Sequence, residues 1–141
     1  MECEIKWLAN DDTVSFVAKT GSGHIMELDT VKDGSEVSRG PRPMETVLVG
    51  AVACTQYDLI TGIKEAGGVL HACNAFASGT RREQKPKIFT DIKVLFSIKS
   101  ENISYHSIQK ILDSSKKENG SAMKMLEKSA NLTFDIELLP V

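Results

Sequence analysis

Cysteine is scarce in this chain: three in 141 residues, at positions 3, 54 and 73, an odd number with no close pair. Secreted disulfide frameworks need a denser supply, so that class is excluded. Three histidines, His24, His71 and His106, are equally scattered. A zinc site needs paired Cys or His at short intervals, so neither a metal nor a cofactor is expected. Excess charge is lacking too. Seventeen basic against nineteen acidic residues leave −2, and Arg81-Arg82 and Lys116-Lys117 are the only adjacent basic pairs. Nothing here draws the chain toward nucleic acid or an acidic membrane. The opening Met1-Glu2-Cys3-Glu4-Ile5-Lys6 lacks the basic start and apolar run of a secretory signal. Gly21-Ser22-Gly23 and Gly67-Gly68 lack phosphate-loop spacing and read as turn and cap glycines. There is no assignable Ser/His/Asp arrangement, no internal repeat and no low-complexity tract. A cytoplasmic, thiol-reduced protein is expected, with a single domain over residues 1–141.

What is present patterns as α+β. Cys3, Ile5 and Trp7 alternate with charged residues, and Val14, Phe16 and Ala18 repeat the period of two after an Asn10-Asp11-Asp12 turn. A third strand is expected around residues 24–28. Residues 30–42, with Asp33-Gly34, Gly40 and Pro41, read as a loop of the length that often carries function. A long helix follows over residues 43–66: Pro43 suits the first helical position, Glu45 the positive end of the dipole, and Gly67-Gly68 the stop. Its apolar residues occupy nearly every face, so it needs cover all round. One sheet layer from so short a chain covers one side, and a second helix and a second subunit are therefore expected. Glu45, Gln56 and Asp58 within residues 44–63 argue for a buried soluble helix over a membrane span.

The period of two returns with His71, Cys73, Ala75 and Ala77 on one face and Ala72, Asn74, Phe76 and Ser78 on the other. It is cleaner in Ile88, Thr90, Ile92, Val94, Phe96 and Ile98, a strand with one face on the core. Residues 104–130 are helical in period, interrupted at Glu118-Asn119-Gly120-Ser121, with Ser121 as the N-cap of a short final helix. Leu132, Phe134, Ile136 and Leu138 form a closing strand.

Cysteine chemistry runs through the thiolate, so the reactive cysteine is the one with room and a partner. Cys3 on a terminal strand and Cys73 on a small-residue face read as packing. Cys54 sits mid-helix beside Gly50, Ala51, Tyr57 and Asp58 at helical neighbour spacings, where small residues leave room for a ligand. Core packing and reactivity both stay open for it on these grounds. Arg39 and Arg42 flank the loop feeding this helix and are candidate thiolate partners. Arg81-Arg82-Glu83 reads as a solvated strand end.

One set of strings goes further. Gly40-Pro41-Arg42-Pro43-Met44-Glu45, then Cys54 and Asp58, resembles the OsmC-like superfamily, which includes the organic hydroperoxide resistance proteins, and within it the YhfA-like branch. The resemblance extends through Ile5-Lys6-Trp7, Ser22-Gly23-His24, the run from Arg81-Arg82-Glu83-Gln84 to Thr90, and Met125-Leu126-Glu127-Lys128. It implies antiparallel β-sheets wrapped around two main helices in an intertwined homodimer, with sites at the subunit interface. In catalytic members a helix cysteine attacks the peroxide bond, leaving a sulfenic acid. A second cysteine at the start of the final helix then forms a disulfide that an outside dithiol reduces, while an arginine and a glutamate assist the first thiolate.

By this resemblance Cys54 is the nucleophile. Counting back from Met125-Leu126-Glu127-Lys128, Gly120 stands where the second cysteine belongs. Met44 holds the glutamate's position; Glu45 comes one residue later and half a turn away from Cys54, so it points elsewhere. Arg39 and Arg42 match by position only. The expected activity is a one-cysteine reduction of small organic hydroperoxides, resolved by an external thiol reductant or by Cys73. The alternative is a non-catalytic protein that holds a small apolar ligand in the dimer-interface pocket.

Overall fold

The computed structural model describes residues 1–9, 13–31 and 38–141. The Asn10-Asp11-Asp12 turn and the Asp33-Gly34 part of the loop expected over residues 30–42 lie outside the described residues. Contacts gather the chain into two compact units, Met1–Val47 and Leu48–Val141.

In the first unit β1 (Cys3–Leu8), β2 (Thr13–Thr20) and β3 (Ile25–Val31) form an antiparallel sheet in chain order. Trp7 faces Phe16 across one ladder, and Ala18, buried, stands between Ile5 and Met26. β1 is an edge strand and its residues up to Trp7 are exposed, so Cys3 is a free, exposed thiol and not the packed residue expected. Ser15 and Asp29 are opposite one another and fully buried; the Ser15 hydroxyl donates to Asp29 Oδ1 at 3.1 Å. The Arg39 N–H donates to Asp29 Oδ2 at 2.8 Å, and the Asp29 N–H donates to the Pro41 carbonyl at 3.1 Å. Asp29 thus holds residues 39–41 along β3, with its carboxylate at Arg39 and its backbone N–H at Pro41. The approach is so close that a Cβ on Gly40 would run into the Glu27 carbonyl oxygen, which only glycine avoids.

Helix α1 (Pro43–Glu65) begins in this unit and continues into the second. Arg42 caps it. Its carbonyl accepts from the Glu45 and Thr46 N–H groups, and its own N–H donates to Glu45 Oε2 at 2.9 Å, the reciprocal bond of a capping box. Past its end Gly67 takes φ +84°, a conformation that β-carbons disfavour.

The second unit adds β4 (Val69–Arg81), β5 (Phe89–Glu101), α2 (Tyr105–Ser114), one π-helical turn at Ser115–Asn119, α3 (Ser121–Leu126) and β6 (Asn131–Leu138). The sheet order is β4-β5-β6, with β4 antiparallel to β5 and β6 parallel to it. The antiparallel expectation thus fails for β6, because the chain returns through two helices and not a hairpin. The Asn131 amide donates to Asp91 Oδ1 at 3.1 Å, tying β6 to β5; this bond and one from Thr90 hold the Asp91 carboxyl below its ordinary range.

Ile92, Val94, Phe96 and Ile98 alternate onto the covered face of β5. With Leu59 and Ile63 of α1, Ile108 and Leu112 of α2 and Met123 of α3 they are the core, each worth about 1.5–3 kcal/mol of burial. Ile88, expected on that face, is exposed, and Phe89 is buried in its place; the ladder shifts register opposite, between Thr80 and Arg81. A second shift between Leu70 and Ala72 leaves His71 unpaired. That bulge turns His71 out toward Glu101 and off the face of Cys73 on which it was expected.

On α1, Ala51, Val52, Thr55, Leu59 and Ile63 are buried, and Gly62 lets α2 approach until a Cβ there would lie 2.5 Å from Ile111 Cγ2. Val47, Val49 and Tyr57 stay exposed in the single chain. The helix is long and apolar enough to cross a membrane by length and composition; 28% of its most apolar window is buried, so the cover expected all round is present on one stripe of it in the single chain.

Candidate functional site

Two side chains near each other in sequence leave α1 in opposite directions. Cys54 and Gln56 are about 200° apart around the axis. Gln56 reaches β4, where its amide donates to the Cys73 carbonyl oxygen. Cys54 faces away from that strand, exposed, into a concavity of about 330 Å³ lined by Ala53, Cys54, Tyr57, Asp58 and Ser121. The small residues Gly50 and Ala53 leave this flank of the helix open.

Asp58, one turn beyond Cys54, is the only charged group in that lining. Its Oδ2 accepts a hydrogen bond from the Ser115 hydroxyl at 2.6 Å. Ser115 is 1% exposed and opens the π-helical turn. Its carbonyl accepts the Gly120 N–H at 2.7 Å, closing that turn and setting where α3 begins. Ser115 therefore fixes both polar walls of the concavity: Asp58 through its side chain, and Ser121, the first residue of α3, through its backbone. Single π turns in an α-helical stretch recur at functional sites. Neither Ser115 nor Ser121 was identified in this role from sequence; the only visible signal was the break at residues 118–121.

Gly120, not Ser121, occupies the N-cap position of α3. It is buried, and a Cβ there would lie 3.0 Å from the Ser115 carbonyl oxygen. The position counted as that of the missing second cysteine therefore points into backbone, while its neighbour Ser121 lines the Cys54 concavity.

Cys73 is half-buried, and burial pushes its thiol up from the ordinary value of 9.0. Within one chain it lies on the Gln56 side of α1 and is not brought to Cys54. Glu45 is engaged with the Arg42 N–H in the helix cap. Arg39 and Arg42 belong to the first unit, held there through their backbones. A thiolate one turn from a fixed carboxylate needs a cation to offset the repulsion. Among the described residues no cation lines the concavity, and no three His, Cys, Asp or Glu side chains are grouped to hold a metal.

On the other side of Ala53 a second concavity, about 290 Å³, is lined by Leu48, Val49, Val52, Ala53, Gln56, Ala75 and Ala77. It is apolar apart from the Gln56 amide.

A mixed α+β chain with an exposed cysteine on its long core helix defines a thiol protein of two small sheets and helices. The model of the family described as OsmC-like protein matches residues 33–135, and the chain belongs to that family. It is 27% identical to Protein YhfA of Escherichia coli K12 over 139 residues, covering 99% of this chain and 98% of that one. Among solved structures it resembles an OsmC-like protein from Mycoplasma pneumoniae (17% identity, 99% of each chain, TM-score 0.78). It also resembles an organic hydroperoxide resistance protein OsmC from Legionella pneumophila (9% identity, 97% of each chain, TM-score 0.66). Those two likenesses are of fold.

Proposed function

We propose that this OsmC-like protein is a soluble, cytoplasmic homodimer that reduces small organic hydroperoxides with Cys54 as its one essential thiol. The observation carrying this is the exposed Cys54 at the mouth of a built concavity on α1, in a family whose solved relatives include an organic hydroperoxide resistance protein. The Cys54 thiolate attacks the terminal oxygen of the hydroperoxide. As the S–O bond forms the O–O bond breaks, the alkoxide leaves as the alcohol after taking a proton, and Cys54 becomes a sulfenic acid. An external thiol condenses with the sulfenic acid, releasing water, and a second thiol frees Cys54. Arg39 or Arg42, from this chain or a second copy, supplies the cation the concavity lacks. The exposed apolar residues Val47, Val49 and Tyr57 support a partner over α1, in an interface of about 2,000 Å² or more.

Site-resolved mass spectrometry after stoichiometric cumene hydroperoxide tests this. Oxidation at Cys54 is expected; an untouched Cys54 beside an oxidised Cys3, which is also exposed, refutes it. The apolar concavity beyond Ala53 favours a second reading, in which the protein only holds a small apolar ligand. Equal peroxide consumption by wild type and Cys54→Ser, together with a retained apolar ligand, would favour that reading.

A further inference from the structure

We propose that Asp58 is the proton carrier of the Cys54 concavity, taking the thiol proton and returning it to the departing alkoxide, with Ser115 as its positioning residue. This rests on the peroxidase reading above and names the group that handles its proton. Three observations carry it. Cys54 and Asp58 are four residues apart on α1, which puts their β-carbons about 6 Å apart on one helix face, and both line the same concavity. The carboxylate is held from behind: its Oδ2 accepts from a hydroxyl that is itself buried. Oδ1 has no hydrogen-bond partner among the described residues and is not a buried unpaired atom, so it is the accessible oxygen. A carboxylate gripped through one oxygen and open at the other is arranged to exchange a proton at the open one.

The steps balance. A proton passes from Cys54 Sγ to Asp58 Oδ1, leaving a thiolate and a carboxylic acid. The sulfur lone pair bonds the terminal peroxide oxygen, and the O–O pair departs on the alkoxide oxygen. That alkoxide takes the proton from Asp58, restoring the carboxylate. Sulfur loses two electrons, the hydroperoxide gains them, and the products are a sulfenic acid and an alcohol. Negative charge stays single throughout: it passes from the carboxylate to the thiolate, where the proposed cation, Arg39 or Arg42, offsets it.

The test compares leaving groups. Cumene hydroperoxide expels a strongly basic alkoxide that needs a proton, whereas peracetic acid expels acetate, which needs none. Rates of Cys54 oxidation are measured by quench and mass spectrometry in the full-length wild type, Asp58→Asn and Ser115→Ala. Asp58→Asn should slow the cumene hydroperoxide reaction about 100-fold and the peracetic acid reaction at least tenfold less. Ser115→Ala should shift the same ratio in the same direction by a smaller factor, and it carries the test alone if Asp58→Asn does not fold. An unchanged ratio of the two oxidants in both variants overturns the proposal, since a merely structural residue would slow both alike. A wild type whose Cys54 is inert to both oxidants overturns the peroxidase reading, and the role of Asp58 falls with it.

Discussion

The second cysteine that the resemblance to two-thiol proteins implies should pair with Cys54 better from Ser121 than from its neighbour Gly120. Ser121→Cys puts a thiol on the wall of the Cys54 concavity, at the start of α3. Gly120→Cys puts it in backbone: its Cβ would lie 3.0 Å from the Ser115 carbonyl oxygen, which already accepts the Gly120 N–H at 2.7 Å. Forcing that contact costs about 1–3 kcal/mol. After peroxide treatment, Ser121→Cys should condense with the Cys54 sulfenic acid, releasing water and closing a loop of roughly 70 residues. The chain-entropy gain for such a loop is about 4 kcal/mol, equivalent to a Tm rise on the order of 10 °C that a dithiol reductant abolishes. Non-reducing peptide mapping gives the pairing and thermal unfolding with and without reductant gives the gain. A higher disulfide yield in Gly120→Cys than in Ser121→Cys would refute the geometry assigned to the π turn.

Three further perturbations report on the frame around the site. Asp29→Ala removes the carboxylate that accepts from the Ser15 hydroxyl and the Arg39 N–H and should cost about 1–3 kcal/mol in urea unfolding, with residues 39–41 becoming protease-sensitive. Gly62→Ala should destabilise by about 1–2 kcal/mol despite alanine's better helix propensity, because its Cβ meets Ile111; Ile111→Ala in the same chain should recover part of the loss, read by a double-mutant cycle. Cys73 has its thiol raised by burial, so the folded state holds that proton longer than the unfolded one. Its contribution to stability is therefore complete below about pH 9 and is lost as pH climbs through the raised folded value, and Cys73→Ala should flatten that alkaline decline in pH-dependent unfolding.

Much of the second unit was legible because its signals are local. Pro43, Glu45 and Gly67-Gly68 bracketed α1 within a residue, and the β5 pattern of Ile92, Val94, Phe96 and Ile98 matches the buried face. Departures came where one residue shifts a register. His71 sits in a bulge, so alternation counted through it puts it on the wrong face. Ser121 looked like a cap because serine favours that position, yet the π turn lengthens the path by one residue and gives the cap to Gly120. Parallel pairing of β6 leaves no trace in its alternation, which is the same for either direction.

The site was half legible for a related reason. Cys54 and Asp58 lie four residues apart on one helix, and that spacing is visible in any helical projection. Ser115, which holds Asp58, lies in another helical segment, and nothing local distinguishes it from Ser114. Its importance follows from the turn it opens. An ordinary α-turn would bond its carbonyl to residue 119; the π turn bonds it to Gly120 and so brings Ser121, not Gly120, to the concavity. Aligning by count from Met125-Leu126-Glu127-Lys128 preserves sequence position but not direction. That is why the count falls on a glycine where a Cβ would crowd the Ser115 carbonyl, while a hydroxyl, unable to form a disulfide, lines the same concavity as Cys54. Among the described residues no second thiol lines the concavity, whose polar groups are a serine and a carboxylate, and Cys73 lies on the far side of α1 with its proton held by burial. In the proposed reaction, resolution then falls to an outside thiol.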